Sequence, residues 1–165
     1  MDWKRIVRHL MATKRAVNRA FPASTLDAID RAVKASEAKH RGEIRFAVEG
    51  ALHVEPLLRG QSARERALEV FSQLRIWDTE ANNGVLIYLL LADRDVEIVA
   101  DRGVHAKVGA QEWERICRKM ETAFRRGDFE GGVQDGIREV TQHLARHFPP
   151  GGGDRNELPD EPVVM

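Results

Sequence analysis

Trp77-Asp78-Thr79-Glu80-Ala81-Asn82-Asn83-Gly84-Val85-Leu86-Ile87-Tyr88-Leu89-Leu90-Leu91 sets carboxylates and amides directly before the most apolar run of the chain. Val85 to Ala92 carries no charge and is bounded by an Asn-Gly turn signal and by Asp93-Arg94-Asp95. Its length and setting fit a strand buried on both faces better than a helix. The polar residues ahead of it therefore belong at the rim of a sheet.

The same logic extends in both directions. Glu43 to Glu49 alternates, with Ile44, Phe46 and Val48 facing one way, which predicts a first strand. After a loop around Pro56 and Gly60, Ser62 and Glu65 have capping-box spacing, and Ala63, Ala67, Val70, Phe71 and Leu74 trace a helical stripe. A strand-helix-strand unit of this kind joins parallel neighbours by a right-handed crossover. Asp93 to Asp95 then makes a short turn into a third strand, Val96 to Ala100, antiparallel to the second.

Beyond the sheet, Trp113, Ile116, Cys117, Met120 and Phe124 recur at helical spacing, and Val133, Ile137, Val140 and Leu144 repeat the pattern after Gly127. Gly132 and Gly136 lie one turn apart, where close approach of a neighbouring helix explains them. Ahead of the sheet, Trp3, Ile6, Val7, Leu10, Met11 and Val17 predict one basic amphipathic helix over residues 1–21, and Ser24 with Asp27 resembles a capping box opening a helix to about Lys39. From Pro149 the chain reads PPGGGDRNELPDEPVVM, a composition expected to form a disordered tail over 149–165. The expected architecture is an α/β fold: a three-layer α/β/α sandwich around a short mixed sheet over 22–148, with the extra helix in front.

The chain has 165 residues, enough for one domain with a core, and its 26 basic and 26 acidic residues cancel. No global field draws it to nucleic acid, and its aromatic residues fall at core spacing rather than among the basic ones, so no nucleic-acid partner is expected. One cysteine excludes an internal disulfide, and Cys117 on an apolar helical face reads as a buried thiol. No run approaches the ~20 apolar residues of a membrane span, and none follows the basic start as a signal peptide would require, so a cytoplasmic protein is expected.

Parallel first and second strands with an antiparallel third bring the start of strand one, the start of strand two and the end of strand three to one edge. That edge collects His40, Glu43, Asp78, Glu80, Asn82, Asn83, Asp101, Arg102 and His105. Carboxylates beside amide oxygens are the donors hard cations prefer, which makes Glu43, Asp78, Glu80, Asn82, Asn83 and Asp101 candidate ligands for calcium first and magnesium second. The bland reading is that Asp78, Thr79 and Asn83 are turn and cap residues. His143 and His147 have the spacing of a zinc pair but lack the glutamate of HExxH, and Asp93 with Asp95 reads as a turn. Neither a nucleotide-binding glycine motif nor a GxSxG elbow is present.

GEIRFAVE, NNGVLIYLLLADRDVEIVADRG and FRRGDFEGGVQDGIREV, in this order of elements, resemble the TPM domain family, over roughly Phe21 to Phe148. The resemblance implies an α/β/α sandwich, and links to acid phosphatase activity, to calcium or other divalent ions, and to the upkeep of membrane complexes. Two functions follow as expectations. One is a divalent-ion-binding interaction module, meeting a protein or membrane-associated partner through the basic N-terminal helix at the inner face of a membrane. The alternative is a metal-assisted phosphomonoesterase, with Arg102 holding phosphate and Asp78 or Asp101 as base or nucleophile.

Overall fold

The strands and helices order themselves around the apolar run. The computed structural model describes residues 2–152 and 155–165. β1 (Glu43–Glu49) and β2 (Gly84–Leu90) run parallel in register from Glu43 against Gly84 to Glu49 against Leu90. β3 (Asp95–Ala100) returns antiparallel to β2 through the Asp93-Arg94 turn. Every residue of β1 and β2 is buried, because helices cover both faces. Alternation along β1 divides the molecule. Ile44, Phe46 and Val48 face one core with α3 (Ala23–Glu37), α7 (Ala110–Arg125) and α8 (Phe129–His147), while Ala47 faces the other with α4 (Val54–Leu58) and α5 (Ala63–Gln73). The protein is thus an α/β/α sandwich around a mixed sheet.

Ser62 and Glu65 form the expected capping box at the start of α5. Gly132 and Gly136 do admit a close neighbour: a Cβ on either would fall within 2.6 Å of the Phe124 ring and 2.4 Å of the Met120 sulfur, respectively. Elsewhere the molecule departs from its pattern. The N-terminal segment is two helices, α1 (Trp3–Met11) and α2 (Lys14–Ala20), broken at Ala12-Thr13. The break lets Ile6 enter the α5-side core and Val17 the opposite one, so the pair straddles the sheet's edge. Ser24 does not cap α3. The helix begins at Ala23 behind Pro22, whose carbonyl accepts from Thr25 and Leu26 N–H, and Thr25 Oγ1 donates to Glu130 instead. An additional short helix, α6 (Arg102–Val108), held by buried Val104, separates β3 from α7.

The tail is the main correction. Residues 156–165, expected to be disordered, lie along the outer edge of β1. β4 (Val163–Val164) pairs parallel with Ala47 and Val48, and the sheet order is β3-β2-β1-β4. Leu158 is buried in the α5-side core, which gives this polar segment the apolar anchor that its composition disguises.

Candidate functional site

At the amino edge of the sheet the chain topology gathers the expected residues. Asp101 N–H donates to the Gly84 carbonyl at 2.8 Å, and Glu43 N–H to that of Asn83 at 3.2 Å. A Cβ on Gly103 would stand 2.5 Å from the Asn82 carbonyl oxygen, so only glycine lets the 81–84 loop lie this close to α6. Yet the side chains serve the fold. Asp78 is exposed and paired with Arg75 at 2.7 Å. Asn83 Nδ2 donates to the Arg41 carbonyl at 2.6 Å, and its backbone N–H donates to Thr79 Oγ1 at 3.1 Å. Asp101 Oδ1 accepts from Arg102 N–H at 2.7 Å as the cap of α6. Glu43 Oε1 accepts from Glu157 N–H, and Glu80 N–H donates to Glu157 Oε2, both at 3.0 Å, so the tail closes over this rim. Asn82 holds the loop with φ 50°, and Arg102 is exposed. Among the described residues, no group of three or more His, Cys, Asp or Glu side chains is arranged to hold a metal ion. At the same edge the buried Asn83 Oδ1 and Asp101 Oδ2 have no hydrogen-bond partner among the described residues.

The opposite edge, beyond the carboxyl ends of the parallel strands, carries an opening of its own. This is where open α/β sheets commonly place their ligands. A cleft of about 1250 Å³ runs between α1, the β2–β3 turn, the end of α7 and the start of α8. Asp93 closes its inner wall. It accepts from Arg5 Nε at 2.8 Å and Arg8 at 3.1 Å, and His9 Nε2 stands 3.1 Å away. Burial alone would raise the Asp93 carboxyl, but these hydrogen bonds outweigh it and hold the group below its ordinary range. His9 is itself buried and accepts the Leu52 N–H through Nδ1 at 3.1 Å, so Asp93 clips α1 onto the domain.

Asp95 has the contrary setting. Burial first, and then the carboxylates of Glu97, Glu121 and Asp93, push its carboxyl up to about 6. Glu121 is adjacent, accepting the Val96 N–H at 3.3 Å, and Asp128 and Glu130 at the start of α8 line the same cleft. Against these carboxylates stand the exposed Arg19, Arg94 and Arg125. Arg94 takes φ 53°, a left-handed backbone uncommon for a residue with a side chain. The sequence marks Asp93 and Asp95 as a turn rather than a site, and marks none of the other cleft residues as one. Asp93-Arg94-Asp95 serves as the turn its sequence suggests, and Asp128 caps α8 by accepting the Gly131 N–H.

Next to the cleft, α1 inverts the usual orientation of a surface helix. Ile6 and His9 face inward, whereas Trp3, Leu10 and Met11 are 68%, 65% and 73% exposed and share the outer face with Val7. Lys4 is exposed on α1 as well, and Lys14 and Arg15 are exposed at the start of α2. At the end of β1, Glu49 is buried and accepts from Arg66 at 2.8 and 3.0 Å and from Tyr88 Oη at 2.6 Å. Burial, and then the bond to Glu49, raise the Tyr88 phenol. Burial first, and then Glu97, push the Cys117 thiol up to about 12, which leaves it no nucleophile. His143 Nε2 meets Glu112 Oε1 at 2.9 Å rather than pairing with His147 around a metal.

The model of the TPM domain matches residues 18–143. The chain belongs to the TPM domain family. Among solved structures, the TPM fold here is similar to that of BA42 from the psychrophilic bacterium Bizionia argentinensis. The two share 30% identity over 88% of this chain and 95% of that one, with a TM-score of 0.77. It is also similar to the N-terminal domain of a P. gingivalis protein, at 21% identity over 73% of this chain and 76% of that one, with a TM-score of 0.57. No curated protein matches. The matched span begins inside α2 and ends inside α8, so α1 and the strand-forming tail lie outside it.

Proposed function

We propose that this TPM protein is a non-enzymatic interaction module that seats α1 on an anionic membrane surface and binds a divalent cation in the adjacent cleft. The exposed stripe of Trp3, Val7, Leu10 and Met11 carries the reading. Its neighbours Ile6 and His9 already fix the helix to the domain, so the stripe is free to meet something else, and the exposed basic residues of α1 and α2 select a negative surface. A helix of this kind lies in the interfacial plane. Among the described residues, no helix is long and apolar enough to cross a membrane.

For the cation, Asp95 and Glu121 share the wall of the cleft, where Glu121 already meets Arg125 at 3.6 Å, and their like charge favours a further positive ligand. Two carboxylates with water completing the shell is the way magnesium is usually held, so in the cleft magnesium takes precedence over the calcium expected for the amino edge. Phosphomonoester hydrolysis has less support, because Asp78 is paired with Arg75 and Asp101 caps α6. The test is co-sedimentation with phosphatidylglycerol-rich and with phosphatidylcholine vesicles. Binding to the first alone, lost in Leu10→Asp and weakened by salt, is expected; equal binding to both, or none to either, refutes the membrane reading. Thermal melts with magnesium and calcium test the cation. A shift that Asp95→Asn abolishes supports the cleft site, and one that only Asp101→Ala abolishes returns the ion to the amino edge.

A further inference from the structure

The outer edge of β1 holds a buried charge whose partners come from the tail. Arg45 is 6% exposed on the α5-side face, and among the described residues no carboxylate lies within ion-pair distance of it. Its guanidinium donates to the Pro159 carbonyl, its Nε has no hydrogen-bond partner, and the nearby charges are Asp160 and Glu161. A buried guanidinium left without such company is costly, so this edge demands an acidic, extended segment.

The segment seated there runs parallel to β1. Glu157 N–H meets Glu43 at 3.0 Å, Leu158 enters the core, and Gly50 N–H donates to the Met165 carbonyl at 3.3 Å. It is held by a pairing of two residues, whereas β1 and β2 pair over seven. Side-chain-free Gly151 and Gly152 join it to the end of α8. Few ladder bonds and one buried side chain describe an element drawn from the low-stability end of a fold.

We infer that the outer edge of β1 is a peptide-binding site, read by Arg45 and a pocket for an apolar side chain. It takes an extended acidic segment of a partner protein by strand addition, and residues 156–165 are its displaceable internal occupant. Strand addition supplies affinity through main-chain bonds, while Arg45 and the Leu158 pocket supply selectivity. The tethered tail competes at the millimolar-range effective concentration that a short tether sets.

The test uses the full chain and a fluorescent peptide of sequence NELPDEPVVM. Leu158→Asp in the protein weakens the internal occupant, and the peptide is expected to bind that variant at least ~10-fold tighter than the unaltered chain. Adding Arg45→Met should remove the gain, as should a control peptide with lysine in place of both Asp160 and Glu161. No gain in Leu158→Asp, or equal binding of the control peptide, overturns the proposal. Should Leu158→Asp lack a cooperative melt, hydrogen exchange on the unaltered chain decides. The Gly50 and Glu157 amides exchanging together, ~100-fold or more faster than those of β2, supports a displaceable strand. Protection equal to that of β2 overturns it.

Discussion

Asp95→Asn is the substitution whose effect the structure fixes most closely. The carboxyl moves from an ordinary 3.8 in the unfolded chain to about 6 in the fold, because burial and then Glu97, Glu121 and Asp93 oppose its ionisation. Between those values the folded state holds the extra proton. Stability therefore falls as pH rises through this window and stays lower above it. The full shift is worth about 3 kcal/mol at 1.36 kcal/mol per unit. Water in the cleft screens part of it, which leaves about 1–2 kcal/mol. A chain of this length loses about 0.35 kcal/mol per degree near its midpoint, so Asp95→Asn should raise the Tm by about 3–6 °C. That gain belongs at about pH 7.5 and should vanish at about pH 2.5, where the aspartate is neutral in both states. Thermal denaturation of both proteins across that range reads the difference directly. The same gain at both pH values, or a loss at the higher one, would refute the argument from charge.

Further substitutions test the frame around the two edges. Arg66→Met leaves Glu49 buried without its cation and should cost about 3–5 kcal/mol in chemical denaturation, part of it recovered in the double variant with Glu49→Gln, which carries no charge. Gly84→Ala would put a Cβ 2.3 Å from the Ile76 carbonyl oxygen, where backbone must move, and a loss of at least about 1–3 kcal/mol is expected by the same assay. Asp93→Ala unclips Arg5, Arg8 and His9 together, so limited proteolysis should cut within residues 2–21 faster than in the unaltered chain, with the remaining domain intact.

The elements that could be read from sequence are those whose reasons are local. The alternation of Ile44, Phe46 and Val48, the charge-free run after Gly84 and the Ser62–Glu65 box each carry their own structural cause. The convergence of Asn82, Asn83, Asp101 and Arg102 also followed from strand directions alone. What those side chains do there did not, because Glu157 reaches Glu43 across 114 residues and pattern gives no hint of it. Asp93 reads as no more than a turn for the same reason: its guanidinium partner Arg5 lies 88 residues away. The tail misled through composition. Its glycines and prolines dominate the average, while the contacts that order it come from Leu158, Val163 and Val164 against an edge whose vacancy cannot be seen from the tail itself.

The buried hydroxyl of Tyr88 has a practical side. It belongs to the only tyrosine in the chain, and it lies in the middle of β2, bonded to Glu49 and out of contact with solvent. Tyrosinate absorbance in the near ultraviolet can therefore arise only when the centre of the sheet is breached. After a jump to alkaline pH, the appearance of that absorbance times the exposure of this one hydroxyl between the sheet and α5. The native sequence thus carries its own optical clock for the heart of the fold, with no label to attach and no second tyrosine to confuse the trace.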